Sequence, residues 1–553
     1  MPNLARQDPL CVQLLKSLIL CSEKAAVIAR LIKKQTNLFQ SLIQVKDSSE
    51  ANLRFSIDVK TLADVLIQEV IKYDLNLLFP GFGESVFGEE NNRFSSNSGK
   101  SVTIQLTTKE NLVNLLVDVF GNNEEFANEL SEICFQPLEW FKTQLPVCKI
   151  WEHLIESCNN CFNGQQLNER FNDPGTFGVW IDPIDSTADY AQGRFDKIQA
   201  SITPPTTVSP TTTTNPPNSS SSSPPPPPPP PSSVPPSQSA HIASSPVTQS
   251  ATDAEHLNQI NHFFENPTSL IRFYRGGLIN VTILIGLFDR CTGVPLIGVI
   301  NQPFYLIDLS ESEVDTFPNY GRIFWGIHVM NLETNSLIIN SRSNNCCSQA
   351  LMNSPPGNLQ YPRHLRFPDN FFDVLCPDRV FSEGKPILKL ACSSVEFSRL
   401  TNLFHDYRDE NLELVNVVLL SSSGAGFKQL CVILDEVDAF ILMEPNTFVW
   451  DTCGPHTIIS SLGGGIIQLK SALESVKASI QSMPNHLDSV RQIILNNLFK
   501  FQITYNKITK STDEIQTVNS SNLSKCCNRQ GLLVYRNPML ASQILVHIAL
   551  NQK

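Results

Sequence analysis

The chain has 553 residues, of which 41% are hydrophobic and 17% charged, enough apolar side chains for two or three domains or one large two-lobed enzyme. Its formal net charge is −12 and no long basic run occurs, which disfavours nucleic acid and anionic membrane surfaces as partners. No segment has the length and apolar character of a transmembrane span. The 15 cysteines form no evident disulfide framework, and Cys158 and Cys161 lack the partners of a zinc site. We therefore expect a reducing, cytoplasmic location.

Periodicity and turn residues predict the main elements along the chain. Helical periodicity extends from about residue 10 to 45 and again over residues 61–72. Short apolar runs predict strands at residues 86–88, 179–181, 281–286 and 295–300, the last two around a turn at 289–293. Residues 430–442 contain two further apolar runs. Residues 455–462 predict a helix that ends at Gly463.

One segment has a different composition. From about Thr203 to Ser250 the chain is rich in Pro, Ser and Thr, with an unbroken run from Pro224 to Pro231. Such a segment cannot bury a core, so we expect disorder with polyproline II character. It could serve as a ligand for SH3 or WW domains. It need not separate two domains, because the entropic cost of a surface-loop insertion grows only slowly with length.

Four separated segments carry the acidic residues that could form a site. They contain Asp64, the pair Glu89 and Glu90, the run Asp182-Pro183-Ile184-Asp185-Ser186-Thr187, and Asp451. Taken singly, each segment has an ordinary structural explanation. Thr61 and Asp64 fit a capping box at a helix start, and Glu89 and Glu90 fit a solvated turn. Asp182, which precedes a proline, fits the first residue of a turn, and Asp451 fits a helix N-cap.

The run that begins at Asp182 favours a functional interpretation. A predicted strand ends there, Asp182 and Asp185 follow three residues apart, and Ser186 and Thr187 would open a helix. Both carboxylates would then lie at the carboxyl end of a strand, beside free backbone N–H groups that suit a phosphate. Carboxylates and phosphate oxygens are also the ligands that Mg²⁺ prefers.

In this order, and across nearly the whole chain, the acidic segments resemble the motifs of the lithium-sensitive, magnesium-dependent phosphomonoesterases. That family includes inositol monophosphatase, fructose 1,6-bisphosphatase and the 3′(2′),5′-bisphosphate nucleotidases. Further matching segments lie at residues 21–26, 60–66, 68–72, 87–90, 281–286, 292–295, 298–303 and 424–428, and His456 also fits. The segment 450–455 is most similar to the nucleotidases.

The resemblance implies an α/β fold, the layered αβαβα two-lobed phosphatase fold of the inositol monophosphatase and fructose 1,6-bisphosphatase type. Residues 1–200 would form most of the amino-terminal lobe, and residues 269–300 its remaining strands. Residues 201–268 would be the disordered insert. Residues 301–553 would form the carboxy-terminal lobe, which brings Asp451 to the same cleft.

The resemblance further implies two or three Mg²⁺ ions, with Li⁺ as an inhibitor. The implied metal site comprises Glu89, Asp182, the carbonyl of Ile184, Asp185 and Asp451, with Asp64 and Glu90 beside the ions. Thr187 would orient the nucleophilic water, and Asp64 would accept the hydrogen bond of its hydroxyl as the base partner. No covalent phosphoenzyme is required.

The implied substrate is an inositol polyphosphate that loses its 1-phosphate, such as inositol 1,4-bisphosphate or inositol 1,3,4-trisphosphate. Its contacts would be Asp185, Ser186, Thr187, Ser393, Gly424, Ala425 and Lys428, although Lys428 by itself also fits a surface lysine. Two alternatives stay open at this point. One is the same chemistry on adenosine 3′,5′-bisphosphate, and the other is an inactive scaffold that presents the proline tract.

Overall fold

The protein was analysed as a computed structural model that describes residues 9–46, 58–95, 101–121, 123–144, 171, 173–193, 197–202, 271–304, 322–328, 387–408, 413–506 and 525–552. The tract at 203–250 and the pair Cys158 and Cys161 lie outside the described residues, so the interpretations given for them stay predictions. Among the described residues, no helix is long and apolar enough to cross a bilayer.

The strands in chain order are β1 (Ile43–Val45), β2 (Val59–Thr61), β3 (Val86–Gly88), β4 (Arg93–Ser95), β5 (Ser101–Thr103), β6 (Phe177–Asp185), β7 (Lys197–Ile202), β8 (Ile271–Gly276), β9 (Thr282–Asp289), β10 (Pro295–Gln302), β11 (Arg322–Ile327), β12 (Ile387–Cys392), β13 (Asn416–Ser422), β14 (Ala439–Leu442), β15 (Gly465–Gln468) and β16 (Leu532–Tyr535).

The helices are α1 (Leu10–Lys34), α2 (Thr36–Phe39), α3 (Leu62–Leu78), α4 (Lys109–Val119), α5 (Glu124–Phe135), α6 (Leu138–Gln144), α7 (Thr187–Gln192), α8 (Phe397–Phe404), α9 (Ala425–Ile433), α10 (Val449–Ser461), α11 (Leu469–Ser482), α12 (Leu487–Asn497) and α13 (Pro538–Asn551).

Two larger sheets organise these elements. The smaller has five strands in the order β11-β10-β9-β6-β3, and the larger has seven in the order β15-β16-β14-β12-β13-β8-β7. In the larger sheet β14, β12, β13 and β8 run parallel, so their carboxyl ends share one edge. In open sheets of parallel strands this edge is where ligands bind.

Alternating strand residues define the layers, because successive side chains point to opposite faces of a sheet. Val179 and Ile181 of β6 join a core with α1 and α3, whereas Trp180 joins a second core with α9 and α10. Val418 of β13 faces that second core, and Leu419 faces a third core with α8, α11, α12 and α13. The order is helices, sheet, helices, sheet, helices, which confirms the predicted layered α/β fold.

The sheet pairing differs from the predicted division of the chain for three strands. β8 and most of β7, expected in the amino-terminal lobe, join the larger sheet, where β8 pairs with both β7 and β13. β11, expected in the carboxy-terminal lobe, pairs with β10 in the smaller sheet. Chain order alone does not decide which sheet a strand joins, because backbone pairing can reach across long sequence separations.

Three element bounds also differ from prediction. The first predicted helix, from about residue 10 to 45, ends at Lys34 as α1, and Ile43–Val45 form strand β1. β6 does not stop at Asp182 but continues to Asp185, with its register against β9 shifted between the two aspartates. A bulge accommodates Pro183, which has no N–H for the ladder. The helix predicted at 455–462 begins at Val449 and contains Pro455. The side chain of Asp451 caps its start by accepting a hydrogen bond from the Phe448 N–H.

Glycines allow α10 to lie directly on the smaller sheet. A Cβ on Gly298 of β10 would be 2.0 Å from the carbonyl oxygen of Gly454, and one on Gly286 of β9 would be 2.4 Å from the Gly454 nitrogen. Both neighbours are backbone atoms of α10, which cannot rotate away. The position of α10, and of Asp451 in its first turn, thus depends on these three glycines.

We predict that Gly298→Ala lowers the free energy of unfolding by about 1–3 kcal/mol, the usual cost of overpacking a core. Gly175→Ala is the matched control, since Gly175 is exposed and its added Cβ would meet only the Asp173 carboxylate, at 3.2 Å. Urea unfolding at equilibrium measures both variants. Equal stability of the two variants would contradict the close helix-on-sheet contact.

Candidate metal centre and active site

Asp185 is held by groups from the smaller sheet and from helix α9. Its Oδ2 accepts hydrogen bonds from Thr282 Oγ1 at 3.0 Å and from the Gly426 N–H at 2.8 Å, and its Oδ1 accepts one from the Ala425 N–H at 3.0 Å. The two amides are the first of α9, whose amino terminus favours a negative charge. A Cβ on Gly426 would lie 2.4 Å from Thr282 Oγ1, so a larger residue would displace this carboxylate.

Asp451 is positioned through its side chain and its backbone. Its Oδ2 accepts from the Phe448 N–H at 2.6 Å. Its carbonyl oxygen would normally accept from the N–H four residues on, but that residue is Pro455, which has none. The side-chain amide of Gln429 donates to this carbonyl instead, at 2.8 Å. Because Gln429 lies on α9, the helix that holds Asp185 also holds Asp451.

Asp182, Asp185 and Asp451 form a compact buried cluster, in which one oxygen from each lies within 4.8 Å of the others. Burial raises the pKa of all three carboxyls, and neighbouring carboxylates raise those of Asp182 and Asp451 further. Asp182 Oδ1 is buried and accepts no hydrogen bond from the described residues. An orphan carboxylate oxygen beside two others is a donor set that fits a hard divalent cation.

Glu89 and Glu90 follow β3, and both form a salt bridge with the ammonium group of Lys46. Lys46 Nζ lies 2.7 Å from Glu89 Oε1 and 2.5 Å from Glu90 Oε1. Burial opposes the charge of Lys46, but Glu89, Glu90 and Asp58 together raise its pKa above the ordinary value. Burial raises the pKa of Glu90 to about 8, against the attraction of Lys46.

The backbone of Glu90 is fixed by Gln68. The Gln68 side-chain amide donates to the Glu90 carbonyl, and its oxygen accepts the Glu90 N–H at 3.0 Å. A Cβ on Gly88 would lie 1.9 Å from that oxygen, which explains the glycine before the two glutamates.

Asp64 and Thr187 meet as the resemblance implies. Thr187 Oγ1 lies 3.2 Å from Asp64 Oδ1 and 2.9 Å from the Ile184 carbonyl oxygen, so either can accept its proton. Asp64 Oδ2 accepts from the N–H and hydroxyl of Thr61, which confirms the predicted capping box. Burial raises the pKa of Asp64 to about 6 despite these bonds.

The predicted substrate contacts lie in two places. Gly424 and Ala425 begin α9 beside Asp185, and a Cβ on Gly424 would lie 2.9 Å from Asp185 Oδ2. Ser186 precedes α7. Ser393 follows β12, and its buried Oγ has no hydrogen-bond partner among the described residues. The structure gives no contact between Ser393 and the carboxylates, so its role stays a prediction.

Lys428 is buried, so the surface interpretation of this lysine is wrong. Its Nζ donates to the carbonyl oxygens of Ser422 at 2.9 Å and Gly424 at 2.6 Å. Burial lowers its pKa, although Asp185 raises it. The lysine thereby lies close to the carboxylate cluster, with its side chain fixed by two backbone carbonyls.

Sequence analysis assigned no role to Lys46, Gln429 or Gln68. A lone lysine after a short apolar run carries no motif, and its salt bridges became visible only with the fold. Pro455 could have indicated a role for a residue such as Gln429, because a proline within a helix leaves one backbone carbonyl without its hydrogen-bond donor. Gln68 lies in a segment that carries the family resemblance, but its spacing to Glu90 suggests no contact.

No protein-family model matches the chain. Among curated proteins, inositol polyphosphate 1-phosphatase of Bos taurus is 31% identical over 466 residues, covering 83% of this chain and 84% of that protein. The Homo sapiens protein of the same name is 30% identical over 464 residues, with the same coverage. The 3′(2′),5′-bisphosphate nucleotidase 1 of Dictyostelium discoideum is 33% identical over 69 residues, only 12% of this chain and 22% of that protein.

Among solved structures, an inositol monophosphatase from Anabaena covers 70% of this chain and 82% of the solved chain, at 12% identity and a TM-score of 0.25. That value carries no argument, so the fold assignment rests on the strand order and the curated relatives. The layered fold and these relatives define the protein as a phosphatase. The chain belongs to the inositol polyphosphate 1-phosphatase family.

The buried carboxylates predict an unusual pH dependence of stability in EDTA. A carboxyl whose pKa is raised by folding binds its proton more tightly in the folded state, so stability falls as pH rises between the unfolded and folded pKa values. With Asp64 at about 6 and Glu90 at about 8, the Tm should fall from about pH 5.5 to about pH 8. Differential scanning calorimetry in EDTA measures the Tm at each pH.

Asp182→Asn should raise this Tm by a few degrees at about pH 8 and by less at about pH 5.5, because it removes a buried charge that Glu89, Asp185 and Asp451 repel. Added Mg²⁺ should stabilise the wild type more than the variant. Asp488→Asn, on an exposed helix start, is the control. A lower Tm for Asp182→Asn at both pH values would show that this carboxylate is structural.

Proposed function

We propose that the protein hydrolyses the 1-phosphate of inositol polyphosphates, with inositol 1,4-bisphosphate and inositol 1,3,4-trisphosphate as substrates, in a Mg²⁺-dependent reaction. The observation that carries the proposal is the buried cluster of Asp182, Asp185 and Asp451 within 4.8 Å. The relatives that match over most of the chain are phosphatases of inositol polyphosphates by name, which supports the substrate class. Inositol phosphate metabolism is the corresponding cellular context.

The donor set fits two or three Mg²⁺ ions. Asp182, Asp185, Asp451, Glu89 and the Ile184 carbonyl would hold them, with Glu90 and Asp64 beside them. When bound, Mg²⁺ would lower the pKa of a water molecule and offset the charge of the phosphate. Li⁺ would inhibit by taking one of these positions, because it brings only one positive charge. The excess of buried carboxylates supports such a requirement for cations.

Asp64 and Thr187 would act on the attacking water. With its proton donated to Asp64, Thr187 Oγ1 has lone pairs free to accept a hydrogen bond from that water. Asp64 would take up the released proton through Thr187 Oγ1, which lies 3.2 Å from its Oδ1. The balanced reaction consumes one water and yields the inositol product and inorganic phosphate. We assign the backbone N–H groups of Ser186 and Thr187 to the phosphate.

The second candidate substrate is adenosine 3′,5′-bisphosphate. The nucleotidase match favours it, but that match spans only 69 residues.

On the partner side, an SH3 or WW domain that binds the proline run from Pro224 to Pro231 remains a proposal, as does the cytoplasmic location. The buried thiols among the described residues, such as Cys21 and Cys431, are compatible with that location.

A phosphate-release assay tests the substrate and the metal together. Inositol 1,4-bisphosphate should be hydrolysed with Mg²⁺ at a kcat/KM at least about tenfold above that for adenosine 3′,5′-bisphosphate, a preference of about 1.4 kcal/mol. EDTA should abolish the activity, and Li⁺ should inhibit it. Preference for the nucleotide would replace the substrate assignment. Full activity in EDTA would refute the metal mechanism.

A double-mutant cycle tests the pair formed by Asp64 and Thr187. Thr187→Ala and Asp64→Asn should each lower kcat by about 10²–10⁴-fold with a smaller change in KM, because alignment of the water matters mainly in the transition state. The double variant should lose much less than the product of the two factors. Thr292→Ala, in an exposed turn, controls for loss of a threonine hydroxyl. Multiplicative losses would show that the two residues act independently.

A further inference from the structure

Ser186 lies between strand β6 and helix α7, and its backbone conformation is sterically unfavourable for residues other than glycine. Its φ and ψ are 70° and 45°, in the left-handed region. Asp435 is the other non-glycine residue with positive φ among the described residues. Glycine adopts this conformation without steric cost, whereas serine needs compensating contacts.

Asp189 supplies the compensating contact within the turn. Ser186 Oγ donates to Asp189 Oδ2 at 2.9 Å, and the Asp189 N–H donates to the Ser186 carbonyl at 3.0 Å. These reciprocal bonds close the first turn of α7 around the left-handed residue. Thr187 is the next residue along the chain, so the same turn sets where its hydroxyl lies.

The same carboxylate oxygen is tied to the larger sheet. Ser423, just after β13, donates its hydroxyl to Asp189 Oδ2. Ser423 Oγ in turn accepts from Asn280 Nδ2 at 3.0 Å, and Asn280 also donates to Ser422 Oγ at 2.9 Å. One continuous, partly buried chain of hydrogen bonds therefore runs from the end of β13 to the turn that carries Thr187.

We infer that Asp189 is a positioning residue for the hydrolytic reaction: it holds Ser186 in the left-handed conformation and fixes the Thr187 turn against Ser423 of the larger sheet. Asp189 acts through these neighbours and does not touch the reacting atoms. This inference rests on the proposed function for its kinetic readout, but the hydrogen-bond network stands independently of the substrate.

The test measures the effect of Asp189→Ala in two backgrounds, in the full-length enzyme with Mg²⁺. In the wild-type background Asp189→Ala should lower kcat about 10- to 100-fold with KM changed by less than about threefold, because a small displacement of Thr187 misaligns the water. In the Ser186→Gly background the same change should cost less than about threefold, because glycine keeps the turn without the carboxylate. Asp189→Asn, which keeps an acceptor oxygen, should retain most of the activity.

Asp435→Gly is the matched control for relief of left-handed strain. Asp435 has φ 63° and is exposed at the end of α9, where it pairs with Arg536 at 3.4 Å. In the Asp189→Ala background it should stabilise the fold without restoring kcat. If Asp435→Gly restored kcat as much as Ser186→Gly does, the kcat loss in Asp189→Ala would follow from lower global stability, and the inference would be overturned. An equal kcat loss in both Ser186 backgrounds would also overturn it.

Hydrogen–deuterium exchange separates this inference from the proposed function. Asp189→Ala should accelerate amide exchange across Thr187–Gln192, and Ser186→Gly should restore protection. If the wild type hydrolyses no inositol phosphate but exchange follows this pattern, the proposed function fails and the structural role of Asp189 stands. Unchanged exchange in Asp189→Ala would overturn the role itself.

Discussion

The structure depends on the burial of several carboxylates close together between its two sheets. Asp182, Asp185 and Asp451 are all buried, and neighbouring carboxylates raise the pKa values of Asp182 and Asp451 in addition to the effect of burial. Such a cluster is unfavourable in a protein interior unless protons or cations offset the charge. The surrounding chain accordingly provides donors to the carboxylates at fixed positions, and it places Lys46 and Lys428 nearby.

Packing of the helix layer holds this cluster at short range. Gly286, Gly298 and Gly454 let α10 approach the smaller sheet at backbone distance, which places Asp451 opposite Asp185. α9 joins the two aspartates, since its first amides bind Asp185 and its Gln429 binds the carbonyl that Pro455 leaves free. The turn around Ser186 makes a similar connection through Asp189. Small displacements of either helix would therefore be transmitted to the carboxylate cluster and to Thr187.

Local periodicity and caps predicted the strands before the acidic segments and the capping box at Asp64, whereas the α/β class was implied by the family resemblance. The resemblance named the carboxylates, and the fold brings Asp182, Asp185 and Asp451 together. Features that depend on tertiary contacts could not be predicted. They are the sheet membership of β8 and β11, the salt bridges of Lys46 and the hydrogen bond from Gln429 to Asp451. Conversely, two charged residues of the matched segment 21–26 form buried ion pairs away from the carboxylates, Glu23 with Arg30 and Lys24 with Asp74.

Mn²⁺ tests most directly whether the carboxylate cluster binds divalent metal ions, because it takes the same oxygen ligands as Mg²⁺ and scatters anomalously. Crystals of the full-length protein would be soaked in Mn²⁺ and the anomalous difference density compared between the wild type and Asp451→Asn. We expect at least one peak within about 2.5 Å of oxygens of Asp182, Asp185 and Asp451, weakened or lost in the variant. Ordered carboxylates with no peak between them, or an equal peak in Asp451→Asn, would contradict it.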